Sequence, residues 1–182
     1  MTPRRGWGRL LVLAAVAFVL QATLAEAVRV GTAWPDFCLA AVMLAALRSG
    51  GRAAGACGLG LGLAVDLFAG RWLGLHAAVW GAVGYAFGRL AAPFDERSRV
   101  VAFLGTGLGA AVAWLLEAAF VAVEARSVDV YAVLAQLLPH AAVTAALAAL
   151  AAPWDLGLPP RAQAEADRMA TIRLWLGSPH RG

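Results

Sequence analysis

Charged side chains are scarce in this sequence, and lysine is absent from it. Only 14% of the 182 residues are charged, all 15 basic residues are arginine, and 62% of the residues are hydrophobic. Soluble domains carry about 25% charged and roughly 45–50% apolar residues. A soluble domain of this length has too little interior to bury so much apolar surface. The composition therefore excludes an ordinary soluble domain and predicts a protein whose surface faces lipid.

Motifs for metal binding and covalent catalysis are also missing. The two cysteines, Cys38 and Cys57, lie in apolar runs without CxxC spacing, which disfavours both a zinc site and a disulfide. No HExxH motif occurs and no serine stands in an apolar run, which disfavours a zinc protease and a Ser–His intramembrane protease. The sequence therefore predicts no catalytic residue, no metal and no cofactor, and a function other than catalysis.

The net charge of +4 does not indicate nucleic-acid binding. The arginines are scattered at the ends of apolar runs, whereas a nucleic-acid interface concentrates them on one face. The segment GLGLG at residues 58–62 resembles a phosphate-binding loop only in isolation, because it follows no strand and lies within an apolar run. Both nucleotide and nucleic-acid binding are therefore disfavoured, and the partner predicted for the surface is the lipid bilayer.

Long apolar runs separated by short polar turns predict an all-α, polytopic membrane bundle of about six transmembrane helices. The predicted spans lie near residues 10–28, 37–47, 53–68, 73–90, 100–123 and 130–152. The second is short for a hydrocarbon core about 30 Å thick, so it must extend through its flanks or lie within protein. The first has a small-x-small sequence typical of signal cleavage, but the polytopic chain that follows favours a retained anchor.

Two parts of the chain are predicted on this basis. Residues 1–155 form the transmembrane domain, and residues 156–182 form a cytoplasmic tail. In the tail, apolar residues recur on one approximate helical face and charged residues surround the other. That pattern predicts a short amphipathic helix on the membrane surface.

The arginines divide unevenly between the two sides of a six-span model. Twelve fall on one side: Arg4, Arg5, Arg9, Arg48, Arg52, Arg89, Arg97, Arg99, Arg161, Arg168, Arg173 and Arg181. Only Arg29, Arg71 and Arg126 fall on the other. Since basic residues accumulate on the cytoplasmic side, the sequence predicts that both termini are cytoplasmic.

Ionisable residues inside the apolar runs are the candidates for function, because such residues are costly at membrane depth. The topology places five of them toward the extracytoplasmic ends of their helices: Glu26, Asp36, Asp66, His76 and Glu117. One alternative is that these residues together form a polar vestibule. The other is that each of them separately caps a helix or reaches the lipid head groups, and both alternatives stay open. His140 lies nearer mid-depth, where Pro139-His140 is typical of a kinked helix with a hydrogen-bonded histidine.

One stretch, residues 34–90, carries most of the predicted structural or partner-binding positions. Pro35 and Asp36 suit the first turn of a helix, and the spacing of Gly58 and Gly62 allows close approach of helix backbones. The full set is Pro35, Asp36, Gly55, Gly58, Gly62, Asp66, Gly70, Gly74 and His76. Asp66 is predicted to accept hydrogen bonds from the turn at residues 70–74 and so to fix a helical hairpin.

The order of these features resembles the family of the rod shape-determining membrane protein MreD. The resemblance rests on Pro35-Asp36, the basic turn at residues 48–52, the Gly-rich run into Asp66, and Leu73-Gly74 before the next helix. It covers about a third of the chain. His76 departs from the pattern, which has a small polar residue such as Asn or Ser at this position.

The resemblance implies a fold similar to the substrate-binding subunits of vitamin transporters, in the bacterial cytoplasmic (inner) membrane. It implies a non-enzymatic role in the machinery that elongates the cell wall. The implied partner is the membrane protein MreC and, through it, the MreB filament, the glycosyltransferase RodA and its penicillin-binding transpeptidase. Self-association within that complex is compatible with it. The alternative is a small-molecule-binding subunit of a vitamin-type transporter, which the polar vestibule would suit.

Overall fold

The computed structural model describes residues 4–29, 33–70, 72–95, 97–125, 129–154, 156 and 158. Five helices follow one another in these residues, with no β-strand: α1 (Arg4–Leu24), α2 (Phe37–Ala69), α3 (Leu75–Leu90), α4 (Arg99–Ala125) and α5 (Val130–Ala151). The predicted all-α class is therefore confirmed for the described part of the chain. The amphipathic helix predicted in the tail lies outside the described residues.

Four of these helices, α1, α2, α4 and α5, are long and apolar enough to cross a membrane. Helix α3 has 16 residues, whereas a span needs about 20. The structure thus supports a membrane protein. The predicted count of six transmembrane helices is not confirmed, because four helices in the described part of the chain meet these criteria of length and composition.

Helix α2 turns sharply at Gly50, where φ is 79° and ψ is 177°, a conformation that favours glycine. A Cβ atom on Gly84 of α3 would lie 2.6 Å from Cγ1 of Val42 and 3.0 Å from the carbonyl oxygen of Ala54. In a straight helix, residues 42 and 54 would be roughly 18 Å apart. The chain therefore folds back at Gly50, and residues 37–49 lie beside residues 51–69. We call this unit the α2 hairpin.

The first segment of the α2 hairpin lies inside the bundle, with every residue from Cys38 to Ser49 buried. Residues 37–49 extend over about 20 Å, which is shorter than a hydrocarbon core about 30 Å thick. Of the two alternatives for this short span, the burial favours a position within protein. Its apolar side chains form the centre of the core with those of α3 and α4.

Pro35 and Asp36, just before α2, are also buried, and they lie level with the middle of α5. The backbone N–H of Asp36 donates to Oγ1 of Thr144 at 3.1 Å, and Nδ1 of His140 lies 3.1 Å from the carbonyl oxygen of Trp34. The N–H of Phe37 donates to the side-chain oxygen of Gln21 in α1 at 2.8 Å. These bonds satisfy backbone groups that would be costly to bury unpaired. They tie the start of α2 to both α1 and α5.

Helix α3 packs closely along the second segment of the α2 hairpin. A Cβ atom on Gly58 would collide with the backbone of Trp80, and one on Gly62 with the backbone of Ala77. Small residues let membrane helices approach to backbone contact, as the glycine spacing predicted. The glycines of this face are therefore used for packing within the chain.

Helices α4 and α5 pack together through small residues and turn large apolar side chains outward. On the inner faces lie Ala102, Thr106, Ala113, Ala145 and Ala148, each at most 1% exposed. Large exposed apolar residues on α4 include Phe103, Leu104, Leu108, Val112, Leu115, Leu116 and Phe120. This distribution, small residues inside and large apolar residues outside, suits a bundle immersed in lipid.

A buried arginine closes the end of the bundle near the Gly50 turn. Arg48 is only 5% exposed, and its guanidinium donates to the carbonyl oxygens of Ala152 and Trp154, just after α5. The last carbonyls of a helix have no partner within the helix and carry the negative end of its dipole. Arg48 therefore joins the α2 hairpin to the carboxyl end of α5.

Candidate functional site

Asp66 supplies the N-terminal cap that α3 lacks. The residue at the cap position of α3 is Gly74, which has φ 97° and no side chain to accept a bond. Oδ2 of Asp66 accepts the N–H of Gly74 at 2.9 Å and of Ala77 at 3.2 Å, and Oδ1 accepts the N–H of His76 at 3.2 Å. A carboxylate at this position also complements the positive end of the helix dipole.

The predicted hydrogen bond from the turn at residues 70–74 to Asp66 is present in the structure, through the N–H of Gly74. Asp66 is 2% exposed. Two bonds from the first turn of α3, which were not predicted, add to it. Asp66 thus holds the end of α2 against the start of α3, and its assignment to a partner-binding site stays a prediction.

His76 makes the shortest side-chain contact at this end of the bundle. Its Nδ1 lies 2.6 Å from Oδ1 of Asp66. Because a carboxylate only accepts hydrogen bonds, this contact assigns a proton to Nδ1 and leaves Nε2 on the opposite edge of the ring. The ring also contacts Trp80 edge to face, with centroids 5.2 Å apart.

Glu117 reaches the same histidine from α4. Its Oε2 lies 4.0 Å from Nε2 of His76, and its Oε1 accepts a hydrogen bond of 3.0 Å from the indole N–H of Trp80. Three helices therefore converge through three ionisable side chains, Asp66, His76 and Glu117. We call this group the Asp–His–Glu cluster.

Asp36 lies beside this cluster and caps its own helix. Its Oδ1 accepts the N–H of Leu39 at 2.8 Å, as expected for an aspartate just before a helix. Its charge interacts electrostatically with His76 and His140. Two carboxyl groups, those of Asp66 and Glu117, thus lie next to the imidazole, and that of Asp36 acts on it electrostatically.

Of the five residues predicted to share one end of the bundle, the structure brings four together: Asp36, Asp66, His76 and Glu117. Glu26 is separate, since its side chain is 86% exposed and lies 4.0 Å from Arg29. His140 was placed nearer mid-depth, and it lies on α5 beside Trp34 and Asp36. Its predicted hydrogen bond is present, with the carbonyl oxygen of Trp34 as the partner.

The remaining predicted positions have structural contacts within the chain. Pro35 is fully buried, and a Cβ atom on Gly55 would lie 3.2 Å from Cβ of Tyr85. Gly70 ends α2 in the left-handed conformation, with φ 63°. These contacts are consistent with structural roles, and direct contact with a partner stays a prediction.

The contacts between the residues of the site escaped the reasoning from sequence. That reasoning placed Asp66, His76 and Glu117 toward the same end of the bundle and did not predict that they touch. The structure joins them across three helices, where sequence spacing carries no information. Trp80, which the sequence did not single out, also belongs to the site, because its indole N–H donates to Oε1 of Glu117. In the sequence, the only indication of the bond between Trp80 and Glu117 was that each of them has a polar group within an apolar run.

The Asp–His–Glu cluster is a partly exposed group of ionisable side chains. No group of three or more His, Cys, Asp or Glu side chains that could hold a metal ion occurs in the described part of the chain. The cluster does contain an imidazole between two carboxylates, with side-chain exposures of 28% for His76 and 20% for Glu117.

Comparison with known proteins identifies no relative of this chain: no family model, no curated protein and no solved structure matches it. The resemblance to the MreD family therefore rests on the sequence features of residues 34–90.

Proposed function

We propose that this chain is a non-enzymatic membrane scaffold of the bacterial cell-wall elongation machinery, similar to MreD. Its main partner is the membrane protein MreC, which connects it to the MreB filament, RodA and the penicillin-binding transpeptidase. The observation that carries the proposal is the α2 hairpin. The sequence features that resemble MreD coincide with the residues that build this hairpin and fasten it to α3.

A scaffold needs a rigid centre and outward surfaces that can bind other helices. The α2 hairpin can serve as this centre, because both of its ends are bonded to other helices. Asp66 bonds to the start of α3, and Arg48 bonds to the end of α5. The outer faces of α1 and α4 are apolar, and only 11% and 22% of their most apolar segments are buried. Those faces are available to lipid or to the helices of a partner.

We further propose that the two segments of the α2 hairpin and α3 each count as membrane-embedded segments of a six-helix bundle. Both termini are then cytoplasmic, in the inner membrane, as the distribution of arginines indicates. Reporter fusions at Gly182 and at residues 126–128, between α4 and α5, test this topology. Activity of an extracytoplasmic reporter at Gly182 would contradict it.

Co-purification with MreC from the same genome tests the scaffold. We expect a tagged chain extracted in mild detergent to retain MreC, and Asp66→Asn to lose most of it because the hairpin loosens from α3. The matched control is Asp129→Asn, which alters an exposed aspartate that caps α5. Absence of MreC from the wild-type complex, with the chain folded, would refute the proposal.

Substitutions at two outward-facing residues test which face of the chain contacts MreC. Val16→Trp enlarges the exposed face of α1, and Leu108→Trp enlarges the exposed face of α4; these residues are 51% and 64% exposed. If one face binds MreC, only the variant on that face should lower its recovery. Equal recovery with both variants would place the contact elsewhere on the chain.

The second candidate is a small-molecule-binding subunit of a vitamin-type transporter. The partial exposure of His76 and Glu117 favours it, because it leaves a polar opening at one end of an apolar bundle. This function predicts a small molecule retained through purification and a neighbouring gene for an energising ATPase. A neighbouring gene for MreC would instead favour the scaffold.

A further inference from the structure

Between α3 and α4, two polar atoms face each other at a distance too long for a direct hydrogen bond. Nε2 of His76 lies 4.0 Å from Oε2 of Glu117, whereas such bonds measure roughly 2.7–3.2 Å. The other polar atom of each side chain is engaged: Nδ1 contacts Asp66 and Oε1 accepts the indole N–H of Trp80. The imidazole ring and the carboxyl group are thus each held in place by a contact through their other polar atom.

The protonation state decides whether these two atoms attract or repel. With its proton on Nδ1, a neutral imidazole presents a lone pair at Nε2, and an ionised Glu117 also presents lone pairs at Oε2. Two lone pairs repel. One proton on either atom makes one of them a donor, and an imidazolium facing a carboxylate makes the stronger, charge-assisted bond.

We propose that His76 and Glu117 form a proton-binding site that joins α3 to α4. The site holds one proton between Nε2 of His76 and Oε2 of Glu117. The proton comes from the aqueous phase, forms one N–H or O–H bond and displaces no other group. The two side chains are 28% and 20% exposed, so the site opens onto the surface of the bundle.

Asp66 is the positioning residue of this site. Its bonds to the backbone of α3 fix its carboxylate, and its contact with Nδ1 then fixes the imidazole ring and its tautomer. In the same way, Trp80 fixes the carboxyl group of Glu117. The distance between Nε2 of His76 and Oε2 of Glu117 is therefore set by residues of α2, α3 and α4 together.

The charged groups around the site favour uptake of a cation. Asp66 of α2 and Glu117 of α4 face His76, and Asp36, just before α2, acts on His76 electrostatically. Asp36 and Asp66 also act electrostatically on Glu117, and His140 of α5 acts on Asp36. A proton in this anionic setting is attracted by three carboxylates.

Acid pH should therefore tighten the contact between α3 and α4, and alkaline pH should loosen it. A proton held between the two atoms stabilises the folded chain, so we expect the stability to fall when a rise in pH removes this proton. This property does not depend on MreC and stands apart from the proposed scaffold function.

Nuclear magnetic resonance of the full chain in detergent micelles, with ¹⁵N-labelled histidine, tests the proposal directly. The signal of His76 is assigned by its loss in His76→Gln. Between about pH 5 and pH 8 we expect Nδ1 to stay protonated and Nε2 to titrate. We expect Glu117→Gln to move the midpoint by about one pH unit or more, as for strongly interacting groups.

The matched control is Glu124→Gln, which neutralises an exposed glutamate on the same helix and should leave the midpoint in place. A midpoint in Glu117→Gln that equals that of the control would refute the shared site. So would a proton on Nε2 instead of Nδ1 in neutral His76, since the ring would then face Asp66 with a lone pair.

Infrared spectroscopy of the wild-type chain keeps the proposal testable if Glu117→Gln fails to fold. The carboxyl bands of Glu117, identified by their loss or shift in the variant, should change over the same pH range as the histidine signal, because both groups interact with the same proton. Carboxyl bands that do not change over the pH range in which the histidine signal changes would show that Glu117 does not interact with this proton, and the proposal would then be wrong.

Discussion

At each of the two ends of the α2 hairpin, a buried charged side chain binds the end of another helix, and the two charges are opposite. At one end, Asp66 accepts the N–H groups at the start of α3. At the other, Arg48 donates to carbonyl groups just after α5. In each case a buried charge on α2 meets the complementary end of a helix dipole.

The ends differ in what lies beyond the charge. Asp66 touches His76, and His76 faces Glu117, so this end contains groups that exchange protons. Arg48 bonds to backbone carbonyls, which do not titrate, and a guanidinium stays charged at any accessible pH. The comparison indicates one end that responds to pH and one end that does not.

The largest effect expected comes from breaking the acidic end with Asp66→Ala. The first turn of α3 loses its cap and His76 loses its partner, so we expect a loss of about 3 kcal/mol in the free energy of unfolding. Unfolding by dodecyl sulfate in mixed micelles measures it. Asp129→Ala, which removes a local cap on α5, should cost only about 1 kcal/mol. Equal losses would show that Asp66 is merely another local cap.

Breaking the basic end with Arg48→Met comes next. Methionine keeps much of the apolar volume and removes the donors, so we expect a loss of about 2 kcal/mol. The loss should be the same at about pH 5 and pH 8, whereas that of Asp66→Ala should vary with pH. Arg52→Met, at an exposed position on α2, is the matched control. A strong pH dependence of the Arg48→Met effect would contradict the contrast between the two ends.

A matched pair of glycine substitutions sharpens the comparison near the acidic end. Gly62→Ala places a Cβ atom against the backbone of α3, so we expect a loss of about 1–2 kcal/mol. At Gly60 a Cβ atom would meet no atom within 4 Å, and Gly60→Ala should gain roughly 0.5–1 kcal/mol from helix propensity. Thermal unfolding in detergent distinguishes the two. A gain at both positions would mean that α2 and α3 are not in close contact at residue 62.

The smallest effect is expected from Trp80→Phe, which removes the hydrogen bond to Glu117 and keeps an aromatic ring. We expect a loss of about 1 kcal/mol. The midpoint of the His76 titration should also change, because the carboxyl group of Glu117 is no longer held. Trp114→Phe, which removes a bond of 3.1 Å to the carbonyl oxygen of Val133, should leave that midpoint unchanged.

The helical class and the membrane character could be predicted from the sequence because both follow from local composition. Each helix can be recognised from its own apolar run, and a surplus of apolar surface needs no partner to be evident. The hydrogen bond between the turn at residues 70–74 and Asp66 was equally predictable, since the two are close in sequence. From the short length of the apolar run at residues 37–47, the sequence predicted that this segment either extends through its flanks or lies within protein. Only the structure favoured a position within protein.

Contacts between distant parts of the chain were decided by the tertiary structure alone. Nothing in the spacing of Asp66, His76 and Glu117 indicates that α4 brings its carboxylate to the histidine of α3. The bond from Arg48 to the end of α5 joins residues more than a hundred positions apart. Sequence determines which helices form, because hydrophobicity and backbone conformation are local. Which buried charges meet depends on how those helices pack, because an ion at membrane depth is stabilised only by partners that the fold brings to it.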